Sequence, residues 1–310
     1  LVGELSKPER AVIGCASWTY WRALHYRIVA ERSVELEAPM KIQLGYALSY
    51  ELPQPTPMIL TLNVHYSRAS DLLQPDQILT SPSVRLRSYR DGFGNWCTRL
   101  VAPPGQFRIW SDSIISDSGV AEPVATRAEQ LPTDALPEET LVYLLGSRYC
   151  ETDLLSETAW RLFSQGPTGW HRVQAICDFV HQHIQFGYQF ASPTKTAFGA
   201  FTEGRGVCRD FAHLAITLCR CLNIPARYCT GYLGDIGVPP VDAPMDFAGW
   251  FEAYLGGEWY TFDARNNTPR IGRVLIARGR DAADVAIATT FGPNKLLTFS
   301  VTTAELSGPA

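Results

Sequence analysis

Cys208 is the side chain whose local sequence most favours chemistry. It follows a Gly204-Arg205-Gly206 turn and opens a segment, Cys208 to Leu222, in which Phe211, Ala215, Leu218, Cys219 and Leu222 recur with helical spacing before Pro225. A thiol in the first turn of a helix faces unpaired backbone N–H groups and the positive end of the helix dipole, and both favour the thiolate. Cys208 is therefore the candidate nucleophile and is expected to titrate below an ordinary thiol. Cys219 and Cys221 lie deeper in the same helix and Cys229 in a strand, where buried, inert thiols are expected. A nucleophile also needs a base. Six histidines are present: His25, His65, His171, His181, His183 and His213. His213 lies five residues beyond Cys208, about 140° round the helix and about 7.5 Å along it, so it points away from the thiol. His181 and His183 are two residues apart on the preceding helix and face opposite sides, so at most one could look toward the site. Structural roles are expected for all three. Asp210, in the first turn, is expected to stabilise the helix start.

The elements that position Cys208 belong to an ordinary globular chain. Of 310 residues, 46% are hydrophobic and 19% charged, which excludes a disordered protein and a miniature disulfide scaffold. The formal charge of -4 offers no cationic field for nucleic acid or anionic membrane, so neither is expected as a partner. The eight cysteines lack C-x-x-C spacing, which argues against a disulfide cage or a structural zinc site and fits reduced thiols in a cytoplasm. Val12-Ile13-Gly14-Cys15 resembles a lipoprotein cleavage box, but Glu4, Lys7, Glu9 and Arg10 stand where an apolar segment is needed.

Residues 1–39 show no sustained period and are read as an extension, with Met40 a candidate start. From Ile42 to Leu52 apolar and polar residues alternate strictly, the pattern of a half-buried strand. Met58 to Tyr66 alternates again, and Val84–Tyr89 and Trp96–Val101 form a hairpin across Asp91–Asn95. Residues 40–120 are thus an antiparallel β domain, and the proline-marked stretch 121–138 a linker or an extended crossing strand. Trp170, Val173, Ile176, Cys177, Val180 and Ile184 form one helical stripe, with Arg172, Asp178 and Gln182 facing away. Short strands follow at 226–233, 249–255 and 258–264. Helices followed by an antiparallel sheet make 139–310 an α+β core.

The motifs Gly206-Val207-Cys208-Arg209-Asp210-Phe211, Ile224-Pro225-Ala226-Arg227-Tyr228, Trp250-Phe251-Glu252 and Tyr260-Thr261-Phe262-Asp263 resemble the bacterial transglutaminase-like family. The resemblance spans most of 40–300. It implies a papain-like core behind a β-rich amino-terminal region, and acyl transfer or amide hydrolysis through a cysteine thioester with no metal or organic cofactor. By the resemblance, Cys208 is the nucleophile and Asp263 the orienting carboxylate. The family's H-x-W-x-E strand reads Ala248-Gly249-Trp250-Phe251-Glu252, so an alanine stands at the position of the general base. Similar bacterial sequences that have a small residue there place a histidine after Ala-Arg, where this chain has Asn266.

The resemblance therefore implies a transglutaminase-like cysteine hydrolase or acyltransferase acting on carboxamide or peptide bonds, with its usual histidine replaced by Ala248. A catalytically impaired relative that binds peptides is the alternative. Arg265, Arg270, Arg273, Arg278 and Arg280 are read as a salt-bridged surface rather than an anion site. Trp250, Trp259 and Tyr260 are read as core.

Overall fold

The computed structural model describes residues 39–241 and 245–306. The extension at 1–39 therefore lies outside the described residues apart from Pro39, while the candidate start, Met40, is the first residue of a strand. The strict alternation from Met40 produces β1 (Met40–Leu52), which buries Ile42, Leu44, Tyr46, Leu48, Tyr50 and Leu52. After it come β2 (Thr56–Leu60), β3 (Leu72–Gln74), β4 (Leu79–Ser81), β5 (Arg87–Arg90), β6 (Trp96–Ala102) and β7 (Gly105–Asp117). The second alternation is shorter than its pattern suggests: the strand stops at Leu60, and Tyr66–Asp71 is a 3-10 helix.

The helical layer comprises α1 (Glu138–Leu141), α2 (Thr152–Phe163), α3 (Trp170–His183), α4 (Ala197–Glu203) and α5 (Cys208–Cys221). The two-residue strands β8 (Gln185–Phe186) and β9 (Arg205–Gly206) pair beside the start of α5. Then follow β10 (Ala226–Tyr232), β11 (Ala248–Leu255), β12 (Glu258–Phe262), β13 (Val274–Gly279), β14 (Ala288–Thr290) and β15 (Lys295–Leu306). The core sheet runs β12-β11-β10-β13, all antiparallel. The architecture is α+β, with an amino-terminal antiparallel β region and a helix-packed core.

Helix α5 is covered on all sides rather than on one face. Asp210, His213, Thr217 and Arg220 are as buried as Leu214 and Leu218. Arg220 survives burial because three carbonyl groups, of Leu145, Ala226 and Arg280, and the Ser147 hydroxyl accept from its guanidinium; it donates to Ala226 O at 2.9 Å and to Ser147 Oγ at 3.1 Å. The α3 stripe is buried as expected, but Arg172 joins it, donating to Gln130 Oε1 at 2.9 Å.

Two features bear on the sequence division. The 121–138 stretch is strapped to the core: Trp170 N–H donates to Ala128 O at 2.9 Å, and Gly256 N–H to Glu129 O at 2.8 Å. The strands at 288–306, grouped by sequence with the core, complete the amino-terminal sheets instead. β15 pairs along β1, and β14 along β2. No helix among the described residues is long and apolar enough to cross a membrane.

Candidate active site

Cys208 is the first residue of α5, as its sequence predicts. Asp210 accepts the Val207 N–H at 2.9 Å, closing the first turn. Gly206 is required beside it, because a Cβ there would lie 2.6 Å from Asp210 Oδ2. The Cys208 backbone N–H is left without a partner among the described residues, as the first N–H groups of a helix are. It is available to an oxyanion.

The half-buried thiol opens onto a cavity of about 920 Å³ that is also lined by Tyr228, Asp246, Ala248, Gly249, Asp263, Arg265 and Asn266. Strand β11 brings the Gly249 backbone into the cavity beside Cys208, where its N–H favours the thiolate. Gly249 has no room for a side chain, since the Tyr228 hydroxyl occupies the place of its Cβ. Burial pushes the Cys208 thiol up from 9.0 to about 11. The Gly249 N–H and Arg265 favour the thiolate, Asp246 and Asp263 oppose it, and the loss of solvent outweighs them. The direction is opposite to the depressed thiol pKa expected from the helix start alone. One helix terminus is worth about 0.3–1 kcal/mol, less than one pKa unit, and it does not offset desolvation.

Asp263 follows β12 and faces the same cavity, but its oxygens are already engaged. Oδ1 accepts the backbone N–H groups of Arg265 and Asn266, both at 3.0 Å. Oδ2 accepts Asn266 Nδ2 at 2.7 Å and Arg273 Nη2 at 3.0 Å. Burial opposes ionisation of Asp263, yet Arg273 and Asn266 hold its pKa below the usual carboxylate value. Arg273 is itself clamped by Glu122 and lies over the Trp250 ring at 4.6 Å.

None of the five described histidines lines the cavity. His213 is fully buried, stacked 5.0 Å from Tyr149, with Nε2 accepting the Ala282 N–H at 3.1 Å. His181 Nδ1 donates to the Arg265 carbonyl at 2.9 Å, and His183 Nε2 to the Phe201 carbonyl at 2.6 Å. Ala248 is half-buried against Cys229, Trp250 and Leu275.

A solved structure of a candidate cysteine protease from Cytophaga hutchinsonii is 31% identical, with a TM-score of 0.75; the match covers 88% of this chain and 92% of that one. The chain belongs to the transglutaminase-like superfamily. The family model of that name matches residues 158–264, from within α2 to just past Asp263. Among curated proteins, an uncharacterised protein of Mycobacterium leprae is 25% identical over 222 residues, covering 68% of this chain and 77% of its own. An uncharacterised protein of Mycobacterium bovis is 29% identical over 248 residues, covering 71% and 78%.

The transglutaminase-like core thus gathers Cys208, Ala248 and Asp263, all named from sequence, around one cavity. Sequence reasoning missed Asp246, Tyr228 and the Gly249 N–H. Asp246 lies in the irregular stretch just before β11, and no pattern in its own sequence signals it. Asp246 is exposed at the rim of the cavity, and partial desolvation there raises its pKa. Of the five arginines after Asp263, Arg273, Arg278 and Arg280 each hold a carboxylate within 3.0 Å. Arg265 and Arg270 line the cavity instead.

Proposed function

We propose that the Cys208 cavity binds a peptide or protein carboxamide, and that acyl transfer there is slow. The observation that carries this reading is a thiol pushed up to about 11 in a cavity lined by none of the described imidazoles. Binding needs only what is on hand. The Cys208 N–H receives the carboxamide oxygen, while Tyr228 and Asp246 offer a neutral phenol and a carboxyl for its nitrogen. Transfer needs more. The thiolate must form, the C–S bond must close as the carbonyl electrons move onto oxygen, and the departing amine must take a proton before water cleaves the thioester. An imidazole normally moves both protons, and a positioned acid–base is worth about 10²- to 10⁴-fold.

Asp246 keeps a second reading in play, that of a weak hydrolase. It lies exposed at the rim of the cavity with its pKa raised by partial desolvation, and it holds no ion pair among the described residues. We further place the protein in a reducing compartment such as the cytoplasm, because all seven described cysteines are unpaired. The test is calorimetric titration with glutamine-containing peptides alongside a hydrolysis and transamidation panel, for wild type and Cys208→Ala. Saturable binding by both, with wild-type turnover at background, supports the reading. Robust turnover lost in Cys208→Ala overturns it.

A further inference from the structure

A second concavity, of about 630 Å³, lies in the amino-terminal β region, bounded by Ile59, Arg85, Arg87, Ser88, Tyr89 and Arg99. It lies on the sheet β14-β2-β6-β5, in which β5 is an edge strand. The register sets Arg87 directly opposite Arg99. Like charges opposed across a ladder are destabilising, and among the described residues no carboxylate relieves this pair. The contrast within the molecule is clear: Arg227, Arg273 and Arg278 each sit within 3.0 Å of an acid. Arg90, next along β5, is taken up by the Gly94 carbonyl at 2.9 Å and lies 4.2 Å from the centre of the Tyr66 ring.

The spacing identifies what would neutralise this cluster. Arg85 and Arg87 are two residues apart, about 6.8 Å along extended chain, and Arg99 lies one strand away, about 4.8 Å from Arg87. An extended peptide laid on a sheet edge repeats its side chains on one face at that same interval of about 6.8 Å. Carboxylates at alternate positions would therefore meet Arg85 and Arg87 in turn, while the peptide backbone pairs with the free side of β5. Each guanidinium offers a planar fork for bidentate contact with a carboxylate.

We propose that β5 and its arginines form a docking site for an acidic polypeptide segment that adds as an extended strand, with Asp or Glu at every second residue. The site is independent of the Cys208 cavity and needs no glutamine. A competing role for the arginines is to guard an exposed edge against self-pairing.

The test uses the full chain and three fluorescent probes of equal length: a peptide alternating Glu and Thr, a peptide of the same composition with its Glu residues in one block, and a single-stranded oligonucleotide. Anisotropy should show the alternating peptide binding about tenfold tighter than the blocked one, weakening as salt rises. Arg87→Gln and Arg99→Gln should each cost about tenfold in that affinity. Both variants should melt no lower than wild type, because they relieve repulsion. Equal binding of the two peptides overturns the strand-addition geometry, and an oligonucleotide that binds as tightly as the alternating peptide overturns the polypeptide assignment. Variants that self-associate while binding the peptide unchanged show the guarding role and also refute the proposal.

Discussion

Replacing Asn266 by histidine offers the sharpest trial of the site geometry. Asn266 Nδ2 donates to Asp263 Oδ2 at 2.7 Å while the side chain lines the Cys208 cavity, so an imidazole there would inherit the same carboxylate. With the thiol at about 11, only about one molecule in a thousand carries the thiolate at pH 8. An opposite charge within about 4–6 Å lowers a pKa by about 1–3 units. Arg265 and Arg270 donate to Asn266 Oδ1 at 3.0 and 3.1 Å, and both disfavour a cation at this position. The expected fall in the Asn266→His variant is therefore about one to two units. The thiolate fraction at pH 8 then rises about 10- to 90-fold. The lower nucleophilicity of a less basic thiolate takes back a factor of about 3–10, leaving alkylation about 3- to 10-fold faster. Iodoacetamide labelling across pH, with the modified residue located by mass spectrometry, reads both the midpoint and the rate. A wild-type midpoint at or below the ordinary 9.0 refutes the burial argument. An unmoved midpoint in Asn266→His refutes the premise that residue 266 faces the thiol across their shared cavity.

Ala248→His should lower the thiol midpoint by less than Asn266→His, because the Asp263 oxygens are already taken; a larger fall in the same titration would contradict that accounting. Asp246→Asn removes a carboxylate that disfavours the thiolate and should shift the midpoint down, by under about one unit since burial dominates, as ultraviolet thiolate absorbance can check. Burial, aided by Arg278, holds the folded pKa of His65 at about 4, below its ordinary 6.5. The unfolded chain therefore takes up this proton first, and stability complete above pH 6.5 should fall as pH drops toward 4. Urea midpoints across that window should decline less steeply for His65→Asn than for wild type. Gly231→Ala would place a Cβ against the Val274 carbonyl and 2.9 Å from the Trp250 ring, and should destabilise by about 1–3 kcal/mol in urea unfolding.

What the sequence disclosed was what local pattern determines. The alternation of β1, the stripe of α3 and the placement of Cys208 at a helix start all follow from residues within one or two turns or pleats of each other. The charge state of Cys208 did not, because desolvation depends on the cover supplied by β11 and the residues before it, some forty positions away. Asp263 was identifiable by motif, but its partner Arg273 and the Glu122 that clamps Arg273 are joined only by the fold. Arg172 was read as outward-facing from its place opposite the stripe, and the crossing 121–138 segment covers it through Gln130. β15 pairs with a strand some 250 residues earlier, and nothing in its own sequence specifies that neighbour.

That last pairing sets an order on the making of the protein. β7 is synthesised soon after β1 and can cover one side of it, whereas the other side waits for Lys295–Leu306. Between Asp117 and Leu306 lie roughly 190 residues, which a ribosome adding about 5–20 per second needs about 10–40 seconds to supply. For that interval a 13-residue strand presents an unpaired edge to every nascent chain nearby. The transglutaminase-like core can nevertheless assemble its own sheet meanwhile, because β10 to β13 pair only among themselves. Interrupted or truncated synthesis would therefore yield a chain with its core sheet formed, its Cys208 cavity still lacking the Phe299 that lines it and its first sheet open, a species prone to associate through β1.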